Sequence, residues 1–145
     1  MSPEQIFSLC GMLVLPGWLL LVFVPRWKWA ACLVCPVVIP LLIALIYLYL
    51  VATTFGRTPG GFGSLAEVSQ LFSNSWVLLA GWIHYLAFDL FVGSWEVRDA
   101  QRVGLRHLFV VPCLVLTFLF GPVGLLLYFI LRATLRRRLN VCDLA

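Results

Sequence analysis

Charge is what this sequence has least of. Asp, Glu, Lys and Arg make up 11% of its 145 residues, while 63% are hydrophobic; soluble domains run at about 25% charged and about 45–50% apolar. A small domain leaves much of its surface wet, so a water-soluble fold is excluded and a bilayer has to act as the solvent. Mean hydropathy is +1.04. Histidine is scarce as well, with two in the chain, too few for a histidine-rich membrane di-iron oxygenase. Neither H-E-x-x-H nor E-x-x-H spacing occurs. The Gly-rich run from Phe55 to Gly63 lacks the Lys-Ser/Thr ending of a phosphate loop, which argues against nucleotide binding. Although the formal net charge is +4, no basic stripe interleaves with aromatics, so nucleic-acid binding is rejected. No internal repeat is visible. The Met1–Gln5 start lacks the cations of a secretory signal, and the first apolar run is expected to be retained.

What is present is apolar length. About 20 apolar residues cross a hydrocarbon core about 30 Å thick. Four stretches qualify, at about 6–24, 30–52, 75–93 and 107–131. The expectation is one membrane domain over 1–145, an all-α integral membrane four-helix bundle. Pro25-Arg26-Trp27-Lys28-Trp29 reads as an interfacial turn. Pro36 and Pro40 predict a kink in the second helix, which membrane helices tolerate. Ser64-Leu65-Ala66-Glu67 has capping-box spacing and predicts a short amphipathic helix near the surface between the second and third spans. Pro112, Gly121, Pro122 and Gly124 lie in the fourth stretch, which Arg132 and Arg136–Arg138 close. Of five cysteines, Cys10, Cys32, Cys35 and Cys113 lie in apolar runs; Cys142 does not. Cys32 and Cys35 share a face and read as small packing residues, since a redox or metal role needs an accessible, electropositive thiol. Four crossings put Arg57, Arg132 and Arg136–Arg138 on one side and Arg26, Lys28, Arg98, Arg102 and Arg106 on the other, so the positive-inside rule returns a tie.

The chemistry concentrates in the third stretch, which carries His84 and Asp89. A carboxylate at depth costs at least ~2.5–3.5 kcal/mol, so an ionisable residue there is a functional-site hypothesis by default. Helical geometry puts Trp82, Asp89 and Glu96 on one face with Tyr85 beside them, and Asp99 near it if the helix continues past Gly93. His84 points elsewhere, nearer Phe88, Phe91, Trp95 and Arg98, and Arg98, Arg102 and Arg106 follow one another at intervals of four. The bland alternatives stay open. Glu96, Arg98, Asp99 and Arg102 suit a solvated helix end, Asp89 suits a cap or an arginine partner, His84 suits a carbonyl on a neighbouring helix, and His107 suits an interface. His84, Asp89, Glu96, Asp99 and His107 include metal-ligand types. A bis-histidine haem would need His84 and His107 at one depth, whereas they read as midplane and interface, so no metal is assigned.

The stretch Trp82–Arg102, continuing through His107, Pro112-Cys113 and Phe120–Tyr128, with Pro16-Gly17-Trp18 in the first span, resembles the abscisic-acid-deficient-4-like membrane family. In plants, members of that family are required to form neoxanthin from violaxanthin; the short start of this chain makes it look like a bacterial member, expected in the inner membrane. The resemblance implies an intramolecular isomerase that opens an epoxide on a carotenoid-like or isoprenoid lipid. That reaction is redox-neutral, so no cofactor is implied. It needs an acid for the epoxide oxygen and a base for a neighbouring C–H. On this reading Asp89 or Glu96 is the acid and the other carboxylate the base, with His84 an alternate proton carrier. Arg98, Asp99, Arg102 and His107 tune the charge, and Trp82, Tyr85, Phe91 and Trp95 line a groove for a polyene. The competing reading is a non-catalytic pigment- or quinone-binding or partner subunit. A channel or transporter is disfavoured, because no charged pore-lining repeat occurs and the broken helices do not form a matched pair.

Overall fold

The computed structural model describes residues 1–54 and 56–136, the last by its backbone alone; Phe55, Arg137, Arg138 and Cys142, which entered the sequence reading, lie outside the described residues. The described chain is all-α, with six helices: α1 Pro3–Phe23, α2 Ala30–Thr54, α3 Leu65–Phe72, α4 Ser75–Arg102, α5 His107–Phe120 and α6 Pro122–Arg136. Three of them, α1, α2 and α4, are long and apolar enough to cross a membrane. Ser2 starts α1 with a full capping box to Gln5, and the Ser64 hydroxyl accepts from the Glu67 amide to start α3. The predicted reciprocal contact shifts by one residue, since the Glu67 carboxylate accepts from the Gly63 amide at 3.0 Å.

The prolines of α2 act by widening the helix. Residues Ala30–Val38 form a π-helix. Pro36 has no N–H to give, and its ring and that of Pro40 crowd the carbonyls four residues back; a wider turn relieves both. In that wider turn Cys32 and Cys35 no longer share a face. Cys32 is exposed, whereas Cys35 is buried with its thiol 3.4 Å from the Gly17 carbonyl.

Contacts fix the helix directions. Phe7 meets Trp82, Gly17 meets Leu90 and Trp18 lies on Gly93, so α1 and α4 run the same way. Tyr47 meets His84, and Arg98 reaches the Ala31 carbonyl, so α2 runs against them. Helix α4 continues through Gly93 to Arg102 and stops where Gly104 takes φ +71°.

The fourth apolar stretch, expected as one helix, is two. Gly121 takes φ 41° and ψ −93° between α5 and α6, a backbone that side chains with a Cβ avoid. Pro122 follows at the first position of α6, where its missing N–H costs nothing. His107 lies by Val22, and the Phe118 carbonyl by Tyr85, so α5 runs back along α4. Gly121 sits at Asp89, and Tyr128 and Arg132 sit at Asp99, so α6 returns to where α5 began. The pair is a hairpin whose tip reaches the middle of α4. Gly124 lets its arms touch: a Cβ there would overlap the backbone of Thr117. The hairpin also overturns the charge tie. Arg132 and Arg136 return to the end of Arg26, Lys28, Arg98, Arg102 and Arg106, leaving Arg57 as the one described Lys or Arg at the other end.

Candidate functional site

Asp89 stands fourteen residues from the start of α4 and thirteen from its end, beside the hairpin tip. Its Oδ1 lies 3.0 Å from where a Cβ on Gly121 would be, which only glycine leaves open. The carboxylate therefore sits at the first turn of α6, where the helix dipole favours a negative group. Its Oδ2 is buried and has no hydrogen-bond partner among the described residues. The Tyr85 phenol, one turn earlier, stands between the Asp89 carboxyl and the Phe118 carbonyl, 3.2 Å away.

Glu96, two turns on, is 0% exposed. The Thr117 hydroxyl on α5 lies 3.0 and 3.2 Å from its two oxygens and can donate to either. Gly93 stands on the same face between the two carboxyls, with the Trp18 ring seated on it; a Cβ would come within 2.7 Å of that ring. Trp18 also meets Phe118 edge-on at 5.4 Å, so its ring stands at Gly93, between the levels of Asp89 and Glu96, and is backed by α5.

Asp99 is committed to a different task. It accepts from the Tyr128 hydroxyl at 2.6 Å and pairs with Arg132 at 2.8 Å and Arg102 at 2.9 Å. A buried carboxylate needs such partners, and these join α4 to α6. The Arg98 guanidinium donates to the Ala31 carbonyl at 2.6 Å, tying α4 to α2. The arginines expected to tune the carboxylate pair are thus engaged with Asp99 and with α2. His107 lies 2.9 Å from the Val22 carbonyl, and His84 stacks on Phe88 at 4.5 Å beside Tyr47. The two histidines stand toward opposite ends of the bundle, and among the described residues no His, Cys, Asp and Glu group is placed to hold a metal.

The expected aromatic groove divides. Trp82 and Tyr85 pack together at 5.4 Å and, with Phe7, Phe118 and Phe120, line an apolar groove of about 620 Å³ between α1, α4 and the hairpin tip. They also border a second groove of about 740 Å³, shared with His84, Tyr47 and the loop around Gly60. Phe91 is 48% exposed on the outer surface, and Trp95 packs edge-on against Tyr128 on α6, so neither joins these walls. Nine and thirteen residues beyond Trp82, they lie too far along α4 and on other faces.

Sequence reasoning brought Asp89, Glu96, Tyr85 and Trp82 to one side of α4. It missed Trp18, Thr117, Gly121, Tyr128 and Arg132, which the other helices deliver. One signal was present: Gly121-Pro122 marks a helix break. No curated protein and no solved structure matches the chain. The model of the ABA DEFICIENT 4-like family matches residues 5–128, a range that contains Trp18, both carboxylates, Thr117 and the hairpin tip. With 124 of 145 residues inside that match, the chain belongs to the ABA DEFICIENT 4-like family.

Proposed function

We propose that the protein is a multi-pass membrane enzyme, an acid–base isomerase that opens an epoxide on a carotenoid-like isoprenoid lipid. The observation that carries this reading is the buried, unpartnered oxygen of Asp89, set beside Tyr85, which itself lines an apolar groove. An ionisable group at such depth is expensive and rare without a task. The apolar, aromatic-lined groove suits a polyene chain, and the Tyr85 phenol supplies a polar contact on its wall with the Asp89 carboxyl directly behind it.

The step balances without a redox partner. One carbon–oxygen bond of the epoxide breaks, and the oxygen takes a proton. The neighbouring carbon loses a proton, and the electron pair of that C–H bond becomes the second double bond of an allene. Tyr85 is the proton donor to the oxygen and Asp89 the proton acceptor from carbon. Their proximity lets the phenol recover its proton from the carboxyl after each turnover. Glu96, walled off by Trp18 and held by Thr117, acts on Asp89 through its charge rather than on the lipid. Helices α1, α2 and α4 make the crossings.

The test is a pigment profile. The chain is expressed in a bacterial host that makes epoxy-carotenoids, beside an empty vector. A new peak of unchanged mass is expected. An unaltered profile, with the protein present in the membrane, overturns the enzyme reading. The apolar lining also suits a non-catalytic holder of the same lipid; that role survives amide replacement of Asp89, and catalysis does not.

A further inference from the structure

We propose that the end of the bundle carrying the α4–α5 turn is a binding surface for anionic phospholipid headgroups, that it is the cytoplasmic end, and that α5–α6 enters and leaves the bilayer through that leaflet. The inference rests on membrane embedding alone and not on the chemistry of Asp89.

Helix α5 has 14 residues, which at 1.5 Å per residue reach about 21 Å, short of a hydrocarbon core of about 30 Å. It turns at Gly121 level with Asp89 and returns as α6, so it does not cross. The described chain then crosses three times, and the start of α1 and the end of α6 lie on opposite sides.

Cationic side chains gather at the end where α5 begins and α6 finishes. The α1–α2 turn presents Arg26 and Lys28, both exposed, alternating with Trp27 and Trp29, which are also exposed. Indole rings beside cations mark the headgroup level. The α4–α5 turn adds exposed Arg102 and Arg106, and α6 ends on Arg136 at this same end. The described acids here, Glu96 and Asp99, are buried; Glu96 bonds Thr117 and Asp99 pairs with Arg132 and Arg102, which leaves the charges of Arg26, Lys28 and Arg106 on the rim. At the opposite end Arg57 stands with Glu4 and Glu67. So lopsided a distribution matches the positive-inside rule, and a cationic rim at headgroup level attracts anionic lipid.

Topology and lipid preference are tested separately. In a background with Cys10, Cys32, Cys35, Cys113 and Cys142 replaced by Ala, a single cysteine is placed at exposed Pro59 or at exposed Arg106. Intact cells are then treated with a membrane-impermeant maleimide. Pro59→Cys is expected to label in intact cells and Arg106→Cys only after permeabilisation; the reverse pattern, or equal labelling, overturns the proposal. Should the cysteine-free chain fail to accumulate, a C-terminal reporter on the native chain decides: green fluorescence supports a cytoplasmic C-terminus, and alkaline phosphatase activity overturns it. For the lipid, purified protein in neutral detergent is titrated with phosphatidylglycerol or phosphatidylcholine while unfolding is followed. Phosphatidylglycerol is expected to raise the Tm, and Arg26→Gln/Lys28→Gln/Arg106→Gln to abolish that rise. Equal stabilisation by both lipids, or a rise that persists in the triple variant, overturns the lipid preference.

Discussion

Asp89 and Gly121 depend on each other. The carboxylate occupies space that a side chain at residue 121 would fill, and the glycine backbone has a positive φ. Strain of that kind costs on the order of 1–3 kcal/mol for other residues, so Gly121→Ala should lower the Tm measurably and also displace Asp89. For Asp89→Asn, loss of a group that moves protons should reduce turnover about 10²–10⁴-fold while leaving membrane accumulation and Tm near the wild type. His84→Ala should leave turnover within a few-fold, because the imidazole stacks on Phe88 toward α2, away from the hairpin tip. A loss matching that of Asp89→Asn would make His84 the proton carrier instead. At this scale the sequence was informative, since an Asp within an apolar run stands out in any reading. The seven-residue spacing also put Glu96 on the same face. Its hydroxyl partner could not be read, because Thr117 is one polar residue in an apolar helix, and its register against α4 is set by the hairpin.

The hairpin is the element that assembles the site, and a polar latch holds it. Asp99 binds Tyr128 and Arg132, with Arg132 1% exposed, and Thr117 binds Glu96. Removing one partner of a buried ion pair costs about 3–5 kcal/mol, so Asp99→Asn and Arg132→Met should each lower the Tm more than any surface charge change. The Asp99→Asn/Arg132→Met double variant should be less damaging than the sum, because no lone charge is left buried. Full additivity in a thermal melt would show that the two do not act as a latch. Thr117→Val should cost about 1–3 kcal/mol by leaving the carboxylate oxygens of Glu96 unsatisfied. Hydropathy found this apolar stretch but not its fold. Residues 107–131 are apolar enough for a span, and the break rests on two residues, Gly121 and Pro122, of types that membrane helices often tolerate. The π-turn of α2 was foreshadowed by Pro36 and Pro40 as a kink; its width was not, since nothing in the local pattern separates the two.

Across the whole molecule, an apolar exterior encloses a polar line that runs down one face of α4 from Asp89 through Glu96 to Asp99. Composition pointed to a membrane class, and the lengths of the apolar runs to the all-α architecture. It could not give orientation, because the count of cations depends on whether the last stretch crosses or doubles back. That polar line meets an apolar groove at one point, through Tyr85, which lines the groove and stands against Asp89. The most direct test of this junction compares wild type with Asp89→Asn, at equal membrane levels, in a host supplying epoxy-carotenoid, with pigments separated by chromatography. An isomeric product is expected from the wild type, falling at least about a hundredfold in the variant. The same amount of product from both would contradict it.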